Sequence, residues 1–325
     1  KYINIIWNNF KFNKKKNKSL KMRKKILIST GGSGGHVIPA TTIYDHLKIK
    51  YDIVISTDLR GLKYLDSVTH NIFVVDTPRL NKSILLPFAI LKVFFLTLRC
   101  LFFLKREKIK ILISTGGYMS LPLCFAAKIL NIKIFLLEPN MVIGRANKFF
   151  LNFCEKIICY SKNIIGFPNK FQNKLKILNP LIRKKYYETV SIKKINKIFT
   201  IIIIGGSQGA QIFDEIIHEV IIKSSKSYSL RIIHQTNKKN LNFFKNLYSE
   251  NKIENTVFSF DKDINLLLSQ SDLCITRAGA SSLAEISLLN IPFIAIPLPS
   301  SKDNHQLENA NYYKNKDCCW ILEQI

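Results

Sequence analysis

An imidazole stands directly behind a run of glycines in Gly31-Gly32-Ser33-Gly34-Gly35-His36. Glycines let backbone N–H groups approach an anion, the N-terminus of a following helix adds about half a positive charge, and an imidazole is the residue type a general base requires. A second turn, Gly205-Gly206-Ser207-Gln208-Gly209-Ala210, adds the hydroxyl of Ser207. A third stretch, Thr276-Arg277-Ala278-Gly279-Ala280-Ser281-Ser282-Leu283-Ala284-Glu285, opens on small residues that allow a helix N-terminus to approach a diphosphate closely. Its Glu285, one to two turns along, can accept hydrogen bonds from paired ribose hydroxyls. Glu138-Pro139-Asn140 places a carboxylate and an amide behind the apolar run 132–137, where they are expected to line a cleft. Arg183, after Asn179-Pro180-Leu181-Ile182, reads on its own as a solvated linker charge.

These groups need strands that end together. Runs of branched apolar residues stop at glycine pairs three times: Ile26-Leu27-Ile28-Ser29-Thr30 before Gly31, Ile111-Leu112-Ile113-Ser114-Thr115 before Gly116-Gly117-Tyr118, and Ile201-Ile202-Ile203-Ile204 before Gly205. Each predicts a buried parallel strand breaking at its carboxyl end, where open α/β sheets bind ligands. Strand-like runs at 26–30, 52–56, 72–75, 111–115, 133–137 and 156–160 alternate with helix-length segments, and a second series runs through 198–204, 229–234, 256–260, 272–276 and 292–296. The expectation is an α/β chain of two Rossmann-like, doubly wound parallel-sheet domains with an interdomain cleft. The boundaries read as a basic, unstructured extension over 1–23, a first domain over 24–182, a linker over 183–197 and a second domain over 198–325. No turn matches G-x-G-x-x-G, although Asp58 stands where a dinucleotide fold places its ribose acid, so a nicotinamide dehydrogenase has weak support.

The chain has 325 residues, with 49 Lys and Arg against 22 Asp and Glu, a formal charge of +27. That excess suits nucleic acid, an anionic membrane surface or phosphorylated substrates, while the abundance of Lys, Asn and Ile also fits a compositionally biased genome. Nucleic acid is disfavoured: no binding module is recognisable, and aromatics are not interleaved with the basic clusters. The seven cysteines lie mostly in apolar runs without metal-ligand spacing, which predicts a reduced, cytosolic setting. Met22, just before the first strand, reads as a natural start. The apolar stretch 83–104 nearly reaches the length of a membrane span, but Lys92, Arg99 and Pro87 interrupt it. A basic helix lying in the membrane interface fits it best, with a core helix and a true span as alternatives.

In order along the chain, Gly31-Gly32-Ser33-Gly34-Gly35-His36-Val37, Gly116-Gly117-Tyr118, Glu138-Pro139-Asn140 with Gly144-Arg145-Ala146-Asn147-Lys148, Asn179-Pro180-Leu181-Ile182-Arg183, the Gly205 and Arg277 stretches, and Asp303-Asn304-His305-Gln306 with Asn309-Ala310 resemble the MurG family of glycosyltransferases. The resemblance runs from about residue 24 to residue 325. It implies a GT-B fold and transfer of N-acetylglucosamine, with inversion, from UDP-N-acetylglucosamine to the 4-hydroxyl of lipid I, forming lipid II for peptidoglycan. It implies no metal and no cofactor. Carried over by motif, Ser33, Gly34, Gly35 and Asn140 face the sugar and diphosphate, and Arg183 with the backbone near Asp261 frames the uracil. Ser207, Ala280, Ser281, Ser282, Leu283 and Ala284 hold the phosphates, Glu285 the ribose and Gln306 the sugar. His36 is the base, with Glu138 as rival or partner. The implied location is the cytoplasmic face of the bacterial inner membrane, peripherally bound to its anionic surface, with room for membership of a cell-wall synthesis complex. Three departures stand out: Leu137 where the family often has His, Asp261 where an apolar residue is usual, and an end soon after Gln306, which makes an inactive, truncated UDP-sugar binder one alternative. A 2-epimerase of the same fold is the other alternative.

Overall fold

The β-branched runs form two wholly parallel sheets in a computed structural model that describes residues 23–78, 85–189, 198–206 and 211–324. Within those residues β1 (Lys25–Ser29), β2 (Asp52–Thr57), β3 (Asn71–Val74), β4 (Ile111–Ser114), β5 (Lys133–Glu138), β6 (Lys156–Cys159) and β7 (Leu175–Ile177) make a seven-stranded sheet. Its order is β3-β2-β1-β4-β5-β6-β7. The second sheet holds β8 (Phe199–Ile204), β9 (Leu230–Gln235), β10 (Glu254–Phe258), β11 (Leu273–Thr276), β12 (Phe293–Ala295) and β13 (Cys319–Ile321), in the order β10-β9-β8-β11-β12-β13. Each order reverses direction once, between β1 and β4 and between β8 and β11, and a reversal opens a crevice at the carboxyl ends of the strands. The register Ser29↔Ser114 and Ile204↔Thr276 brings the glycine turns to those two crevices.

Burial follows the sequence pattern. Leu27, Leu112 and Leu136 have no exposed surface in the first core, nor do Ile202, Cys274 and Phe293 in the second. Fully burying a large aliphatic side chain contributes about 1.5–3 kcal/mol. β7 and β13 are three-residue edge strands outside the strand-like runs read from the sequence, although β13 lies within the apolar run 318–322. β10 begins two residues earlier than its apolar run, because Glu254 pairs with Arg231 across the sheet, with Arg231 Nε 3.1 Å from Glu254 Oε1, while Phe260 lies 73% exposed.

The helices are α1 (Gly34–Leu47), α2 (Leu86–Arg106), α3 (Leu121–Ile129), α4 (Arg145–Phe150), α5 (Lys184–Glu188), α6 (His218–Ser225), α7 (Leu241–Glu250), α8 (Ile264–Ser269), α9 (Ala280–Leu288) and α10 (His305–Lys314). Of the expected extension over 1–23, residues 1–22 lie outside the described residues; so do 79–84, the 190–197 part of the expected linker, and 207–210 with Ser207. Helix α2 buries one stripe, Val93, Thr97, Cys100 and Leu104, against the first core. Phe88, Ile90, Leu91, Phe94, Phe95 and Phe102 are exposed on its other faces. By length and composition it is long and apolar enough to cross a membrane, yet its buried stripe docks it on the domain.

Candidate active site

The first crevice is built around His36. Its helix, α1, starts at Ser33, whose side chain does not cap it, so the first N–H groups keep the orphan character of a helix start. His36 Nδ1 lies 2.8 Å from the carbonyl oxygen of Thr115, at the end of β4. A carbonyl only accepts, so Nδ1 carries a proton, and in the neutral ring Nε2 holds the lone pair. A Cβ placed on Gly117 would lie 3.6 Å from that Nε2. Gly117 has φ of 82°, a left-handed value that glycine adopts at no steric cost.

Asp58, at the end of β2, braces the turn before α1. Its Oδ1 accepts from the N–H of Gly32 at 2.7 Å and of Gly61 at 2.9 Å, and its Oδ2 from Arg60 Nε and NH2 at 3.0 and 2.7 Å. Burial pushes the carboxyl up, but the bonds from Gly32, Arg60 and Gly61 outweigh it and hold it below the usual carboxylate range. This carboxylate therefore supports the glycine turn; it is not a free ribose acceptor, and the dehydrogenase reading loses its one residue. Arg60 also bonds the Tyr118 hydroxyl and sits over its ring.

Glu138 ends β5 and is only 2% exposed, so it does not line the cleft as its sequence position suggests. Oε1 accepts from Asn140 N and Nδ2 at 3.2 and 3.0 Å; Oε2 accepts from Gly144 N at 2.7 Å and Asn147 Nδ2 at 3.0 Å. Four donors saturate the carboxylate and shape the loop from 138 to 147 around it, an arrangement that suits a strut better than a proton acceptor. Asn140 is carried by this strut.

The second crevice places α9 behind Gly279, again with no side-chain cap. Ala280 and Ser282 are half-buried at its mouth and Ser281 is buried; Leu283 and Ala284 belong to the core, and the N–H of Leu283 already donates to Gly279 O at 3.0 Å, so the donors open to a ligand are those of Ala280, Ser281 and Ser282. Gly206 has φ of 76° and open space where a Cβ would stand, and the N–H of Gly205 donates to Gln235 Oε1 at 3.1 Å. Glu285, 5% exposed, is paired with Arg183: Nε to Oε1 at 2.6 Å and NH2 to Oε2 at 2.8 Å. Arg183 is thus no solvated linker charge. Burial works against its guanidinium charge, and Glu285 more than restores it. A carboxylate has about four acceptor positions; Arg183 takes two, and the Tyr186 hydroxyl, which accepts from Arg183 NH2 at 2.9 Å, is also bonded to Glu285, leaving one. Asp261 Oδ1 accepts from Asp263 N at 2.6 Å at the turn into α8, and Lys185 joins that turn to α5 by bonding the Lys262 carbonyl. Gln306 Oε1 accepts from Leu298 N at 3.0 Å.

The two crevices share one cleft, where α9 meets α1. Asn309 on α10, 1% exposed, joins them: Nδ2 donates to Ala278 O and Asn140 Oδ1, both at 3.1 Å, and Oδ1 accepts from Met141 N at 2.9 Å. Neither Asn309 nor Asn147 can be singled out from residue type, since an amide in a helix is ordinarily a surface residue; their only signal is membership of the blocks around 144–148 and 303–310.

Two parallel-sheet domains of this order, with glycine turns at both switch points and a cleft between them, have the GT-B architecture of nucleotide-sugar transferases. The solved structure of MurG from Acinetobacter baumannii is similar at TM-score 0.74 and 21% identity, over 93% of this chain and 86% of that one. A UDP-N-acetylglucosamine 2-epimerase shares the fold at TM-score 0.59 and 10% identity, over 90% of this chain and 87% of that one. The glycosyltransferase family 28 N-terminal domain matches residues 26–159 and the family 28 C-terminal domain residues 200–325. The chain belongs to glycosyltransferase family 28. Among its relatives, the UDP-N-acetylglucosamine–N-acetylmuramyl-(pentapeptide) pyrophosphoryl-undecaprenol N-acetylglucosamine transferase of Pelagibacter ubique is 49% identical over 93% of this chain and 85% of its own length. The protein of the same name from Rickettsia canadensis is 35% identical, over 93% and 86%.

Proposed function

We propose that this chain transfers N-acetylglucosamine from UDP-N-acetylglucosamine to the 4-hydroxyl of lipid I, with inversion, to give lipid II. The observation that carries the reading is the free Nε2 of His36, fixed at the crevice that α9 faces across the cleft. Nε2 takes the proton of the 4-hydroxyl, the oxygen attacks the anomeric carbon, and the bond from that carbon to the diphosphate oxygen breaks. The imidazolium keeps its Nδ1–H on Thr115. UDP leaves toward the α9 N–H groups, Ser281, Ser282 and the backbone at Gly205 and Gly206, a preorganised set in which one lost donor costs about 3 kcal/mol; the phosphate role expected of Ser207 falls on a residue outside the described ones. Ser33, Gly34, Gly35, Asn140 and Gln306 border the sugar. Arg183 and the turn at Asp261 frame the uracil, and the remaining acceptor capacity of Glu285 serves the ribose hydroxyls.

The acceptor carries a lipid, and α2 supports a peripheral seat on the anionic inner face of the membrane: its exposed phenylalanines lie beside Lys92, Arg99, Lys105 and Arg106. The 2-epimerase alternative has only the shared fold in its favour. Single turnover with UDP-N-acetylglucosamine and a short-chain lipid I analogue tests the proposal. Formation of the disaccharide product supports it; donor binding without product would favour the inactive-binder alternative, and epimerised UDP-sugar the other.

A further inference from the structure

Arg145 and Asp303 meet across the cleft as a two-pronged ion pair, Nε to Oδ2 at 3.1 Å and NH2 to Oδ1 at 2.7 Å. Each partner sits on an unusual anchor. Arg145 opens α4 directly after Gly144, whose N–H is held by the buried carboxylate of Glu138, so its backbone is fixed to the first sheet. Asp303 has φ of 52° and Asn304 φ of 55°. Two successive non-glycine residues in the left-handed region persist only where their surroundings hold them. Asn304 N donates to Ser301 O at 3.1 Å, and His305 Nδ1 lies 2.8 Å from Lys302 O, which closes the turn on itself. These bonds lie within the turn; the Arg145 fork ties it to the other domain. Gln306, three residues after Asp303, is carried on the same turn into α10.

We infer that Arg145 is a positioning residue for donor binding: it holds the 301–306 turn, and Gln306 with it, against the Glu138 strut of the opposite domain. The inference rests on the reading of the cleft as a UDP-N-acetylglucosamine site. Planar guanidinium suits the task because two parallel bonds fix direction as well as distance, which a lysine ammonium does not. The ion pair is solvent-facing, with Arg145 79% exposed, so its effect is modest and sensitive to salt.

The test is calorimetric titration of the full chain with UDP-N-acetylglucosamine and, separately, with UDP. Arg145→Ala and Arg145→Lys are expected to weaken the UDP-sugar by about two- to fivefold, the upper part of the range that an exposed ion pair spans, and to leave UDP affinity unchanged. The same variants should raise KM for the donor with a smaller change in kcat. The exchange Arg145→Asp with Asp303→Arg should recover most of the loss, and added salt should narrow the gap between wild type and Arg145→Ala. Equal weakening of UDP and UDP-sugar, or unchanged UDP-sugar affinity, overturns the inference while wild-type binding still stands. Absence of UDP-sugar binding by the wild type overturns the functional reading itself.

Discussion

Thr115 determines which nitrogen of His36 is basic. Its carbonyl oxygen, 2.8 Å from Nδ1, accepts the ring proton, and Nε2 stands beside Gly117. His36→Ala is expected to lower turnover by ~10²–10⁴ with donor affinity nearly intact, since a general base acts in the transition state. Turnover within a few-fold of wild type would make His36 structural.

Glu138 is expected to behave as a strut. Glu138→Ala leaves the N–H groups of Asn140 and Gly144 without their acceptor and takes one from the Asn140 and Asn147 amides, of which Asn147 keeps Leu137 O, and should destabilise the fold by about 2–4 kcal/mol in denaturant unfolding. Glu138→Gln, which keeps one acceptor oxygen, should lose less stability and retain the wild-type shape of the pH–rate profile. Disappearance of a profile limb in that variant would return Glu138 to the role of base.

Glu285→Ala should weaken UDP-N-acetylglucosamine binding by roughly 1.5–3 kcal/mol, as expected for hydrogen bonds to a charged group. It also leaves the Arg183 guanidinium without its carboxylate, so unfolding must be measured beside calorimetry. Unchanged affinity would remove the ribose role from Glu285.

Asp58 and Asp214 are both held below the ordinary carboxylate value of 3.8. In each, burial pushes upward and is outweighed, by Gly32, Arg60 and Gly61 at Asp58 and by His234, Thr236 and Asn240 at Asp214. A depressed folded-state value stabilises the fold above the unfolded-state value, and that stability is lost as pH falls through the folded-state value. Stability should therefore drop below about pH 4, and Asp58→Asn should lower stability at neutral pH while flattening the drop. A variant with an unchanged acid-unfolding curve would show that the Gly32 brace carries no net stability.

The apolar face of α2 should bind anionic vesicles, with affinity that weakens in salt yet persists, because the apolar contribution survives screening. Replacing Phe94, Phe95 and Phe102, all exposed, together with the half-buried Phe103 by Ser should reduce activity on membrane-embedded lipid I far more than on a water-soluble analogue. Co-sedimentation indifferent to salt and to these changes would remove the interfacial seat.

The sequence by itself determined the two parallel sheets and their glycine turns. Ile-rich runs that end in Gly-Gly admit few alternatives, because branched side chains favour buried strands and the glycines mark where the backbone turns. His36 and the α9 start were legible for the same reason, as local features of a strand–turn–helix unit. The pairing of Arg183 with Glu285, the enclosure of Glu138 by four donors, the Asp58 brace and the crossings made by Asn309 and Arg145 were decided only by the tertiary structure. Arg183 and Glu285 stand 102 positions apart, and Asn140 and Asn309 169 apart. A polar residue's role depends on which partner folding brings within about 3 Å of it, and spacing along the chain carries no record of that meeting.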